Sequence, residues 1–121
     1  EQVTAQGFTF MNTPGYDVAS ITGMVAGGAN IVCFTTGRGS VFGCKPVPSI
    51  KLASNGAMFE HMSEDMDINC GPVVDGEATI AEMGEQIFNV ILDIASGRQS
   101  KSEALGFGSD EFVPWQIGAV M

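Results

Sequence analysis

Apolar positions switch between strand-like and helix-like spacing along the chain, and that switching predicts its elements. Gly7–Met11 (GFTFM) is a short β-prone run that ends in the turn cluster Asn12-Thr13-Pro14-Gly15. Val18, Ile21, Met24 and Val25 then recur at helical spacing, with Asp17 placed to cap the helix and Gly27-Gly28 to stop it. Asn30–Phe34 (NIVCF) is a continuous apolar run with β-branched residues, the pattern of a buried parallel strand. Ser49–Ala53 (SIKLA) alternates and predicts another strand. Asn55 is placed to cap a short helix bearing Met58, Phe59 and Met62, and Glu64–Gly71 is acidic, then turn-like. Thr79-Ile80-Ala81-Glu82 fits a capping box. Ile80, Met83, Ile87, Val90, Ile91 and Ile94 follow as one apolar stripe, ended by Gly97. The tail Ser100–Met121 has scattered aromatics (Phe107, Phe112, Trp115) and little period, so an irregular arm is expected.

This order of strands and helices predicts an α/β fold, a small and mainly parallel sheet flanked by helices. A right-handed crossover would set the runs at Gly7–Met11 and Asn30–Phe34 side by side in that sheet. The 121 residues fit a single domain, and 45% hydrophobic content supplies a core. Charged residues make up 16%, below the usual quarter or so, which suggests a surface partly covered by another domain or subunit. The chain opens on Glu1 rather than Met, as a fragment or trimmed product would.

Charge narrows the partners. A net charge of −9 and a pI of about 4.2 argue against nucleic acid and anionic membrane. No apolar run reaches the roughly 18 residues that span a bilayer. Cys33, Cys44 and Cys70 are odd in number and lack a CxxC, so neither a disulfide framework nor a structural zinc site is expected, and a reducing cytoplasm fits best. The charge is uneven: Val18–Phe59 holds no acid but carries Arg38, Lys45 and Lys51, a basic island in an acidic chain. An anionic small molecule would need such an island.

The island centres on Phe34–Gly43 (FTTGRGSVFG), directly after the Asn30–Phe34 strand. Ligands of open α/β sheets bind beyond the carboxyl ends of strands. Gly37, Gly39 and Gly43 allow close backbone approach, and Thr35, Thr36 and Ser40 offer hydroxyl groups suited to a polyol. Arg38 offers a planar fork for a carboxylate. Pro46 and Pro48 stiffen the way into the next strand. Neither the Walker spacing nor a GxGxxG fingerprint is present, so a nucleotide is not indicated. An ordinary glycine-rich turn with an exposed arginine is the alternative.

The segments FTTGRGSVFGCKPVPSIKLASN, EDMDINCG and VVDGEATIAEMGEQIFNVILDIASG, in that order, resemble the C-terminal region of the altronate/galactarate dehydratase family. Within the family, GSVFGCKPVPSIKLA and the ending EFVPWQIGAVM are most similar to the altronate dehydratase branch. The resemblance runs from about Gly7 to the end and covers part of a family member, which also has an N-terminal SAF-type domain and a middle region. It implies a cytoplasmic hydro-lyase that removes water from a sugar acid; from D-altronate the product is 2-dehydro-3-deoxy-D-gluconate, in hexuronate catabolism. Galactarate or another small acid is the close alternative, and a non-catalytic anion-binding or assembly domain is the distant one. A divalent metal, typically iron(II), is implied by the resemblance alone. The expected partners are the sugar acid, N-terminal domains of the same protein and further copies of the chain.

Such a reaction needs a base for the proton beside the carboxylate and a cation or metal for the developing enediolate. Arg38 is expected to bind the substrate carboxylate. Lys51 is expected to support the enediolate, or to act as base if burial lowers its pKa. Thr35, Thr36, Gly37, Gly39, Ser40 and Asn69 complete the candidate substrate site. Other candidates are His61, the sole histidine; an oxygen-rich group of Glu60, Glu64, Asp65, Asp67 and Asn69; and Cys44 with Cys70 as soft ligands for iron(II). Each has a structural alternative: an exposed histidine, a solvated acidic helix end, and buried inert thiols.

Overall fold

A computed structural model describes residues 3–114. In chain order it contains α1 (Asp17–Ala26), β1 (Val32–Thr36), β2 (Ser49–Ala53), α2 (Gly56–His61), β3 (Ile68–Asn69), α3 (Gly71–Val74), α4 (Ile80–Ala95) and α5 (Lys101–Ala104). The three strands form one parallel sheet in the order β1-β2-β3. This is the small parallel α/β arrangement that the sequence predicts.

Several elements depart from their expected bounds. Gly7–Met11 is not a strand: residues 3–14 have no regular structure, and Phe8 and Phe10 are exposed. The run pairs with no strand, and β propensity without a pairing partner does not make a strand, so the expected crossover from that run does not exist. In α1 Tyr16 takes the N-cap position and Asp17 is the first helical residue, favourable there to the helix dipole. β1 starts and ends two residues later than expected and so takes in Thr35 and Thr36. β3 replaces part of the expected acidic turn; a two-residue strand leaves no periodicity to read. The tail expected to be irregular begins with the single turn of α5, capped by Ser100 and Glu103; residues 105–114 have no regular structure, and Trp115 lies outside the described residues.

Strand pairing fixes which side chains share a face. Leu52 pairs with Ile68, and Ile50 and Leu52 face α4, where Met83 and Ile94 close the core with Ile87, Val90 and Ile91. Ile80, expected in that stripe, is the first residue of α4 and is 81% exposed. On the other face Val32 and Phe34 pack against Ile21 of α1 and against Phe42 and Cys44 of the β1–β2 connection, with the Phe34 and Phe42 rings stacked at 5.4 Å. Every residue of β2 is buried, as befits the middle strand of a parallel sheet covered on both faces. Ser49 and Lys51 are therefore inside the protein.

Candidate functional site

The carboxyl ends of the three strands meet at one edge. Thr36 ends β1, and its Oγ1 accepts the N–H groups of Arg38 (3.4 Å) and Gly39 (3.2 Å), folding the chain back over the strand end. Ser54 N–H donates to the Thr36 carbonyl at 3.0 Å, carrying the strand contact into the next turn. Asn55 opens α2: its Oδ1 accepts Met58 N–H (2.9 Å) and its Nδ2 donates to the Gly37 carbonyl (3.0 Å). At the end of β3, Asn69 Oδ1 accepts Gly71 N–H (2.9 Å). A Cβ added to Gly71 would lie 2.3 Å from Gly56 N, so the turns after β2 and β3 touch backbone to backbone. Only glycine permits that approach.

Arg38 is exposed in this arrangement, between Gly37 and Gly39, and its guanidinium has no hydrogen bond or ion pair among the described residues. Gly39 has φ +95 and backs onto Met62, whose Sδ would sit 2.0 Å from a Cβ there. The sequence-predicted residues Thr36, Gly37, Arg38, Gly39 and Asn69 thus lie on the connected strand-end turns. Ser40 lies just beyond, its Oγ occupied by Phe42 N–H at 3.0 Å. Thr35 pairs with Leu52 and so points to the opposite face from Thr36.

Lys51 lies deeper, two residues before the end of β2 and paired with Phe34. It is 0% exposed, and its Nζ has no hydrogen-bond partner among the described residues. Burial lowers its pKa from the ordinary value; Asp65, Asp67 and Glu111 oppose that effect, and Lys101 adds to it. Ser49, on the same face, is likewise buried with an unpartnered Oγ. Asp67 clasps the strand at Lys51: its Oδ2 accepts Lys51 N–H (2.7 Å), and its own N–H donates to the Lys51 carbonyl (2.9 Å). The other carboxylate oxygen accepts Lys101 N–H at 2.9 Å.

The candidate metal ligands do not converge. Among the described residues no three His, Cys, Asp or Glu side chains form a group that could hold a metal ion. Asp67 is engaged by backbone N–H groups, while Glu60, His61 and Glu64 are exposed. Cys44 is buried beside Ile21 and Phe42, whereas Cys70 borders the core under α4. Burial raises the pKa of both, which keeps them as neutral thiols. The described residues by themselves do not form a site for iron(II).

The sequence alone marks Asn55 only as a helix cap. Its spacing to Met58 signalled that role, but its bond to Gly37 spans 18 positions and has no local signature. Asp67, a metal-ligand candidate in the sequence, is a backbone clasp in the fold, because its partners come from other elements.

The family model described as D-galactarate/Altronate dehydratase, C-terminal, matches residues 1–120. Galactarate dehydratase (L-threo-forming) of Escherichia coli K12 is 39% identical over 99 residues, 82% of this chain and 19% of that protein. The beta subunit of (2R)-sulfolactate sulfo-lyase from Chromohalobacter salexigens is 34% identical over 106 residues, 88% of this chain and 27% of that subunit. Altronate dehydratase of Bacillus subtilis is 30% identical over 107 residues, 88% of this chain and 21% of that enzyme. The chain thus spans between 19% and 27% of the length of these relatives. No helix among the described residues is long and apolar enough to cross a membrane.

Proposed function

We propose that this chain, which belongs to the D-galactarate/altronate dehydratase C-terminal family, forms the carboxylate-binding wall of a hydro-lyase acting on a sugar acid in the cytoplasm. The observation that carries this reading is Arg38: an arginine with no partner among the described residues, held between two glycines where three strand ends meet. A guanidinium fork binds a carboxylate in two places, which fixes the plane of the acid and so the direction of its C2–H bond. Galactarate, altronate and sulfolactate, the acids in the relatives' names, are all 2-hydroxy carboxylates with a second substituent on the next carbon. One arginine-based wall suits all three.

In the reaction a base takes the C2 proton, the electrons pass into the enediolate of the acid, and the C3 hydroxyl departs as water after protonation. The enol left behind becomes the 2-keto acid. Arg38 holds the carboxylate and shares the charge that develops on it. The Thr36 and Ser40 hydroxyls and the Asn69 amide, on or beside the same turns, bind substrate hydroxyls. Lys51 is assigned the proton-handling role on its place in the fold: its amine is buried without a hydrogen-bond partner among the described residues, and that burial lowers its pKa. That role requires an opening over its face of the sheet, since the described residues bury it fully. The divalent metal expected from the resemblance takes its ligands, in this reading, from outside the described residues.

D-Altronate, giving 2-dehydro-3-deoxy-D-gluconate, is the substrate on this reading because GSVFGCKPVPSIKLA and the EFVPWQIGAVM ending resemble the altronate dehydratase branch, one member of which is 30% identical to this chain. Galactarate is the second reading, favoured by the 39% identity to galactarate dehydratase. The test is Arg38→Ala in the intact enzyme, assayed with both acids. Loss of a charge-assisted bidentate contact should raise KM by about ten- to a hundredfold. Unchanged KM and turnover with both would sink the carboxylate-wall reading. Whichever acid has the higher kcat/KM in the wild type decides between the two substrates.

A further inference from the structure

Asn55 makes two bonds of different kinds from one amide. The oxygen caps α2 through Met58 N–H, a role that Ser, Thr or Asp fills equally well. The Nδ2 group donates to the Gly37 carbonyl, and this needs an N–H donor on the same short side chain. Helix capping accounts for one half of the residue's chemistry and leaves the other half unexplained.

The unexplained half concerns the arginine loop. The contact between β1 and β2 runs as far as the Thr36 carbonyl, which accepts Ser54 N–H, and beyond it Gly37, Arg38 and Gly39 leave the sheet. The bonds from Arg38 N–H and Gly39 N–H to Thr36 Oγ1 shape the turn, but they are internal to it. The turn is anchored to its surroundings by Asn55 at Gly37 and by the packing of Gly39 on Met62. Arg38 stands between those two anchors. The block that holds Asn55 is itself fixed, since a Cβ on Gly71 would come within 2.9 Å of the Asn55 carbonyl carbon.

We infer that Asn55 is a positioning residue for the proposed reaction: by holding the Gly37 carbonyl it aims Arg38 at the substrate carboxylate. This rests on the reading of Arg38 given above and extends it to a residue that touches no substrate. Removing the tie leaves the arginine present but free to sample other directions, so binding weakens more than chemistry does.

Two substitutions separate the two halves. Asn55→Asp retains a capping oxygen, removes the donor and sets a carboxylate against the Gly37 carbonyl. Asn55→Ser keeps a capping oxygen on a shorter side chain and loses the amide N–H that reaches the Gly37 carbonyl, without adding a charge. In the intact enzyme both should raise KM roughly tenfold with a smaller change in kcat, speed amide hydrogen exchange in the turn after Thr36, and leave the thermal midpoint near that of the wild type. Arg38→Ala is measured alongside. If Arg38→Ala raises KM and neither Asn55 variant does, the positioning role is overturned while the carboxylate wall stands. If Arg38→Ala has no effect, the wall falls and the positioning role with it. If both Asn55 variants fail to fold, Asn55 is structural only and the inference is likewise overturned.

Discussion

A lysine amine inside a sheet without a hydrogen-bond partner costs stability, and Lys51 is in that position among the described residues. Its folded pKa is lowered, first by burial, so the unfolded chain keeps its proton to higher pH than the folded one. Stability therefore climbs as pH rises from the depressed folded value toward the ordinary 10.5. Lys51→Met keeps much of the volume and removes the charge. It should raise stability at neutral pH by about 1–3 kcal/mol, flatten the alkaline climb in denaturant titrations, and abolish turnover in the intact enzyme. A less stable variant that still turns over substrate would contradict both the energetic and the catalytic assignment. Arg38, by contrast, was legible in the sequence from its flanking glycines. Asn55 was half legible, because its cap is local and its tie to Gly37 is not.

Among the elements, α4 follows its sequence signals most closely. Thr79 Oγ1 accepts Glu82 N–H (3.2 Å), and Glu82 returns a carboxylate oxygen to Thr79 N–H (2.8 Å), the capping box that the sequence predicts. Those bonds lower the pKa of Glu82. The unfolded carboxyl protonates first, near 4.5, so the cap contributes fully above that pH and is lost as acid protonates the folded form. Thr79→Ala should cost about 1 kcal/mol, whereas Gly84→Ala should add up to about 1 kcal/mol, since nothing lies within 4 Å of a Cβ at Gly84. Paired thermal melts check both signs; destabilisation by Gly84→Ala would reveal a close neighbour at that face. The expected strand at Gly7–Met11 fails at this scale because local preference is right for a strand but no sheet edge receives it. β3 is the opposite case, a strand made by its neighbour and too short to announce itself.

For the molecule as a whole, Asp67 is the joint between sheet and tail. One carboxylate serves β2 through Lys51 N–H and α5 through Lys101 N–H, while Lys101 Nζ bonds the carbonyls of Ser63 and Met66 and lies over the Phe59 ring. Asp67→Ala leaves both N–H groups without that acceptor and should destabilise the fold by about 2–4 kcal/mol. Amide exchange should quicken in α5 and in the turn before β3 together. Exchange confined to one of them would show that the carboxylate does not couple the two.

The sequence by itself determined the helices with strong periodicity and caps, the central strand, the α/β class, the family likeness and the arginine between glycines. Each of these is written in residues a few positions apart, where period, cap chemistry and glycine freedom act. Only the tertiary structure decided that the polar half of SIKLA is interior, with Ser49 and Lys51 buried under the second layer of a sheet covered on both faces. Alternation alone would have read those positions as a solvent face. The same holds for Asp67 as a clasp, Asn55 as a tie and the three turns joined at Gly71, since burial and long-range hydrogen bonds depend on which elements the fold brings together.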